Sequence, residues 1–172
     1  MKRAKIYLLS LLVLSLPASS FAGETPKTLK ETLGAEAAAM IFSAETVGSY
    51  RLGSMNVSPA VMPSFGAGKY VAGSPGPSLT PPQIKTLQGL LDKALPYRSD
   101  PISNCRFNPG VALQFFKGGK SLNLLFCFSC DEWAFENQGK MVYAQFGSDR
   151  KALVALAKNL FPQDSEIQQL KP

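Results

Sequence analysis

Residues 111–130 read VALQFFKGGKSLNLLFCFSC, and the reading of this stretch decides the fold. Val111 to Lys117 and Lys120 to Cys130 are apolar runs on either side of Gly118-Gly119. Two glycines accept the positive φ of a tight hairpin turn, so the stretch is predicted to be a β-hairpin. Along the second run Leu122, Leu124, Phe126 and Phe128 fall on one face, and Asn123, Leu125, Cys127 and Ser129 on the other. Both faces are largely apolar, which predicts a central strand.

Working outward, Glu132 to Glu136 carries Trp133 and Phe135 in a further strand-like segment. Asn137-Gln138-Gly139 turns it into a run from Lys140 to Phe146. Ser148 or Asp149 caps a helix whose Leu153, Leu156 and Leu160 face the sheet, with Phe161 beside them. Pro162 stops that helix, and Ile167 and Leu170 fasten a short tail.

Upstream, Thr80 and Gln83 form a capping box, with Pro81 at the first helical position. Ile84, Leu87, Leu91 and Leu95 then line one face of a helix over 81–95, read as core. Residues 46–52 predict a short strand burying Val47, Tyr50 and Leu52. A helix is predicted over 27–42, capped by Thr25 with Pro26 in its first turn and weakened by Gly34. Residues 53–79 are rich in Gly, Ser and Pro and are expected to be mostly loop, with one strand at 67–72. Asn56-Val57-Ser58 matches a glycosylation sequon, for which chance is the better explanation. The expected domain, 23–172, is α+β: an antiparallel meander of about four to six strands with two or three helices on one face.

The first 22 residues have the pattern of a secretory leader. Lys2, Arg3 and Lys5 precede an apolar run from Ile6 to Leu16, and Ser20-Phe21-Ala22 offers small residues for cleavage. That run is shorter than the roughly 20 residues a spanning helix needs. The expectation is therefore a periplasmic or secreted protein with no membrane span after cleavage. The leader holds three of the 18 basic residues and none of the 12 acidic ones, so the remaining chain has a net charge of +3. No basic stripe interleaved with aromatics survives, which argues against nucleic acid as a partner.

Histidine is absent. This removes the commonest general base and the commonest metal-ligating side chain together. Ser-His-Asp and Cys-His catalysis and His-ligated metal sites are excluded. Gly66-Ala67-Gly68-Lys69 lacks the spacing of a phosphate-cradling loop. Asp131, Glu132 and Glu136 contain the ingredients of a glycosidase carboxylate pair, but solvated edge charge is the better reading. Trp133, Phe135, Tyr143 and Phe146 are candidates to line a pocket, although core packing is the ordinary fate of such rings.

Three cysteines remain. In an oxidising compartment a disulfide is the default for paired thiols. With Lys117 opposite Lys120, the ladder extended outward sets Phe107 opposite Cys130 and Cys105 opposite Glu132. Cys105 and Cys130 then share a face one pair apart, and Cys127 lies on the other face, farther away. Cys105–Cys130 is the favoured bridge, with Cys127 a free, buried thiol. A bulge would flip the parity and make Cys105–Cys127 competitive. Thiol–disulfide chemistry through Cys127 and Cys130 is disfavoured by Asp131-Glu132 and by the strand-like residues that follow, where a helix N-terminus belongs. A soft-metal site would use Cys105, Cys127 and Cys130, with Asp131 as a fourth ligand.

Cys105, the run Pro109 to Phe115, Cys127-Phe128-Ser129-Cys130 and Leu160-Phe161-Pro162 together resemble a group of uncharacterised exported bacterial proteins. Tyr50-Arg51-Leu52 also fits their pattern. That group has no established activity, so the resemblance implies export and a shared scaffold but no catalytic residue. The combined expectation is a non-enzymatic exported binding or interaction protein of envelope-accessory, inhibitor or immunity type. It is expected to need no cofactor, and its partner is a protein or small ligand. The Pro/Gly-rich 53–79 region is its expected contact surface.

Overall fold

Gly118 and Gly119 take φ of 54° and 73°, the left-handed conformations a two-residue hairpin turn requires. They join strands β4 (Val111–Lys117) and β5 (Lys120–Cys127). The register runs from Lys117 opposite Lys120 to Val111 opposite Phe126. The computed structural model describes residues 26–53, 63–102 and 104–172. The predicted leader, Thr25 and the sequon lie outside the described residues.

Five further strands complete the sheet: β1 (Thr46–Leu52), β2 (Ser64–Phe65), β3 (Tyr70–Pro75), β6 (Glu132–Asn137) and β7 (Lys140–Gln145). The order is β2-β3-β1-β4-β5-β6-β7, and every pairing is antiparallel. The predicted meander is thus present as β4 to β7, inside a seven-stranded sheet curved into half of a barrel. The sequence reading undercounted because part of the Pro/Gly-rich 53–79 region folds. It forms the β2–β3 hairpin, in which β3 pairs with β1 and begins at Tyr70, three residues later than the predicted strand. Ala67, expected to open that strand, sits in the turn at φ 54°.

The curvature brings distant strands together. The turn at Ala67 donates its backbone N–H to Glu136 Oε1 on β6 at 2.6 Å. A row of small and large residues, Tyr50–Ala112–Leu125–Ala134–Tyr143, crosses the concave face in register. Its two alanines leave room for the sheet to bend around Phe65 and Phe107, both buried.

The α-helices among the described residues line the other face. They are α1 (Leu29–Leu33), α2 (Ala35–Phe42), α3 (Pro81–Leu91), α4 (Arg150–Leu160) and α5 (Ser165–Gln168). The count exceeds the expected two or three because single-turn pieces form at both ends and the predicted 27–42 helix divides. Gly34, at φ 86°, divides it. Thr28 is the N-cap of α1, in a capping box with Glu31. Helix α3 has its predicted capping box but ends at Leu91. Leu95 instead exchanges both backbone hydrogen bonds with Lys27 at 2.9 Å. Asp149 precedes α4 without capping it through its side chain, because its carboxylate accepts from Lys93 Nζ at 2.6 Å.

The helical face buries one core, from Leu29 and Ile41 through Leu113, Phe115 and Leu124 to Leu153 and Leu160. At about 25 cal/mol per Å² of buried apolar surface, this core is the main source of stability. The concave face holds the second, smaller core, and the cysteines belong to it.

Candidate thiol centre

β5 ends at Cys127, not at Cys130 as the hydrophobic run predicted. Residues 128–131 turn back, with the Cys130 N–H donating to the Cys127 carbonyl at 3.2 Å. Asp131 takes φ 55° to complete the reversal. Its carbonyl accepts the Phe146 N–H at 2.9 Å. Arg150, the first residue of α4, donates to the Phe128 carbonyl at 2.6 Å and ion-pairs with the Asp131 carboxylate. The helix therefore fixes the turn that carries the Cys-X-X-Cys pair.

A strap approaches from the opposite side. After α3 the chain pairs Arg98 with Tyr143 on β7, then donates the Ile102 N–H to Glu132 Oε1 at 2.7 Å. Residues 104–110 then lead into β4. Phe107 is clasped between Tyr70 and Tyr143, with edge-to-face ring separations of 6.2 and 5.2 Å. The Tyr70 hydroxyl donates to the Phe107 carbonyl at 3.1 Å.

Strap and turn meet at sulfur. Cys105 and Cys130 form a disulfide with Cα atoms 5.6 Å apart, inside the usual range for a bridge. Cys127 is the free thiol among the described residues, fully buried. The expected separation of Cys127 from the other two is overturned: all three sulfurs lie within 4.8 Å of one another. Neither end continues the β4–β5 ladder. Cys130 sits in a turn that folds back toward Cys127, and Cys105 sits in the strap before β4 begins.

The cluster has polar neighbours that the sequence did not reveal. The Asn108 N–H donates to Cys127 Sγ at 3.3 Å. Ser129 Oγ lies 3.3, 3.8 and 4.0 Å from the sulfurs of Cys127, Cys130 and Cys105. The Arg106 carbonyl oxygen is 3.4 Å from Cys130 Sγ. Ser129 is exposed and Cys105 half-buried, whereas Cys127 and Cys130 are buried. The sequence signal for these roles was slight: a serine between two cysteines, and an asparagine before Pro-Gly.

Asp131 is engaged by Arg150 and does not belong to the sulfur cluster. Glu132, expected as solvated edge charge, is fully buried on β6 opposite Cys127. Glu136 is held by Ala67 and by Asn123 Nδ2 at 3.0 Å. The four candidate pocket aromatics divide between the two cores. Trp133 lies 6.4 Å from Phe135 and 5.9 Å from Phe146 beneath the helices, whereas Tyr143 belongs to the concave side. Burial first, then the charges of Tyr70, Asp100 and Glu132, pushes the Tyr143 phenol upward, so it stays neutral at physiological pH.

Beside the sulfurs runs a groove of about 510 Å³. Its walls include Lys69, Tyr70, Asn108, Phe128, Ser129 and Leu170. Asn108 and Ser129, which touch the Cys127 sulfur, thus also line the groove. Set against known proteins, the chain matches no family model, no curated protein and no solved structure.

Proposed function

We propose that the protein is a non-enzymatic exported binding protein of envelope-accessory, inhibitor or immunity type. Its ligand lies in the groove between β3, the Asn108-Pro109-Gly110 strap, the 128–129 turn and α5. The groove is the observation that carries this reading. It combines apolar walls (Tyr70, Phe128, Leu170) with a few fixed polar groups, the usual make-up of a ligand site. Among its charged residues, Arg51 is neutralised by Asp164 and Glu166, which leaves Lys69 as the available cation. An amphipathic ligand with one acidic group suits that balance. Export is supported by the leader-like first 22 residues and by a disulfide, which persists in oxidising compartments. No described helix is long and apolar enough to cross a membrane.

The test uses anilinonaphthalene sulfonate, an aromatic anion, as a probe. Saturable one-to-one binding is expected, with amide shifts concentrated at Asn108, Ser129 and Leu170. Lys69→Glu and Leu170→Asp should each weaken it. Non-saturable binding, or shifts elsewhere, would defeat the reading.

A second reading, thiol–disulfide exchange through Cys127 and Cys130, is favoured by the closeness of a free thiol to a disulfide. Burial of both residues opposes it, because exchange requires an accessible attacking sulfur. Turnover of glutathione disulfide by the native protein would establish this second reading instead.

A further inference from the structure

We propose that Cys105, Cys127 and Cys130 become a three-thiolate site for one soft monovalent cation, Cu⁺, when the Cys105–Cys130 disulfide is reduced. The disulfide is then the gate of the site. The proposal concerns the sulfur cluster and does not depend on what the groove binds.

The spacing of the sulfurs suits such a site. With a metal–sulfur bond of about 2.3 Å, three sulfurs around one ion form a triangle with edges of about 4 Å. The three sulfurs already lie within 4.8 Å of one another. Cleavage of the disulfide lets Cys105 and Cys130 relax outward to that spacing, and Cys127 needs little movement.

The ligand type selects the ion. The cluster offers sulfur only, because the chain has no histidine and Asp131 is held by Arg150. Structural zinc is almost always four-coordinate, whereas soft thiolate sets also select Cu⁺. A set of three sulfurs, joined by no carboxylate among the described residues, fits Cu⁺ better.

The surroundings favour thiolates. The Asn108 N–H already donates to Cys127 Sγ, and Ser129 Oγ stands within 4.0 Å of every sulfur. These donors stabilise and orient thiolates, as second-shell groups do in metal sites. Phe107, Leu125 and Ala134 close the inner side, and exposed Ser129 marks the outer one.

The chemistry balances with one named co-reactant. A dithiol reductant supplies two electrons and two protons to the Cys105–Cys130 bond and leaves as its own disulfide. Cys127 is already reduced. Three thiols then bind one Cu⁺ as thiolates and release three protons to solvent.

The test is anaerobic competition with bathocuproine disulfonate, a coloured Cu⁺ chelator, on protein reduced and freed of reductant. One Cu⁺ per reduced chain is expected, and none per oxidised chain. X-ray absorption should show a three-sulfur shell. Cys127→Ser should abolish stoichiometric uptake, and Ser129→Ala should weaken affinity by about tenfold. Leu170→Asp, in the groove, should leave uptake unchanged. Far-UV circular dichroism of oxidised Cys127→Ser checks that this variant folds, and Cys127→Ala provides a second variant. Failure of reduced wild-type protein to withdraw Cu⁺, unfolded or not, overturns the proposal. So does equal uptake by the oxidised protein or by both folded Cys127 variants.

Discussion

Arg51 on β1 and Asp164 at the start of α5 are paired Nε to Oδ2 at 2.7 Å, although 113 positions separate them in sequence. The same guanidinium donates to the Gly110 carbonyl at 2.8 Å and to the Leu52 carbonyl, and it reaches Glu166. One side chain thus ties the C-terminal tail to the junction where the strap enters β4.

Removing Arg51 leaves several acceptors without their donor in a site that is only 15 % exposed at the arginine. Arg51→Ala should cost about 2–4 kcal/mol, read as a lower urea midpoint. Glu166, 82 % exposed, should matter far less, and Glu166→Gln should change stability by under about 1 kcal/mol. Equal losses in the two variants would show that the exposed arm of the network, not the buried one, holds the tail.

Acid should loosen the same junction. Burial pulls the Asp164 carboxyl upward, but the Ile167 N–H, Arg51 and the Glu166 N–H together outweigh it and hold it below its ordinary 3.8. A carboxylate depressed in the folded state stabilises above the unfolded value and loses that contribution as pH falls through the folded one. The urea midpoint should therefore fall on acidification through about pH 4, where the unfolded carboxyl is about half protonated. In Asp164→Asn that part of the decline should be absent. A parallel decline in the variant would assign the acid sensitivity to other groups.

The disulfide closes a separation of 25 residues. Chain-entropy reasoning gives about 3.5 kcal/mol for such a loop at 25 °C. The double variant Cys105→Ala/Cys130→Ala should lose about 3 kcal/mol, with the strap the first region to lose amide protection in hydrogen exchange. Uniform loss of protection would mean that the bridge braces the whole sheet and not one edge.

The β4–β5 hairpin was legible because two glycines fix the turn and side-chain alternation fixes the faces. The capping box of α3 was legible because Thr80 and Gln83 stand at the spacing that satisfies free backbone N–H groups. The β2–β3 hairpin was not. Phe65 and Ala72 are buried there, yet local glycines and prolines mask any alternation, and the pairing partner β1 lies far back in the chain. The thiol centre was half legible. The 105–130 bridge was the favoured pairing, but the location of Cys127 depends on where a strand stops. Phe128 continues the hydrophobic run beyond that point, so periodicity alone gives no sign of the reversal at Asp131. Glu132 was missed for a related reason: its Oε1 accepts the Ile102 backbone N–H, and a backbone partner leaves no mark in the sequence.

Cys127 tests that reversal directly. Its sulfur is enclosed by the strap, by Ser129 and by the concave core, and the residue has no exposed surface. Alkylation therefore requires an opening that lifts the strap or the turn, and its rate should follow the free energy of that opening. Brief iodoacetamide treatment of the native oxidised protein should leave its mass unchanged. The same treatment in concentrated guanidinium should add one group per chain, because Cys127 is the free thiol. Arg150→Ala, which removes the donor that fixes Phe128 and Asp131, should speed native labelling without altering the disulfide. Rapid labelling of the native wild-type protein would place Cys127 at the surface and rule out the enclosed sulfur cluster.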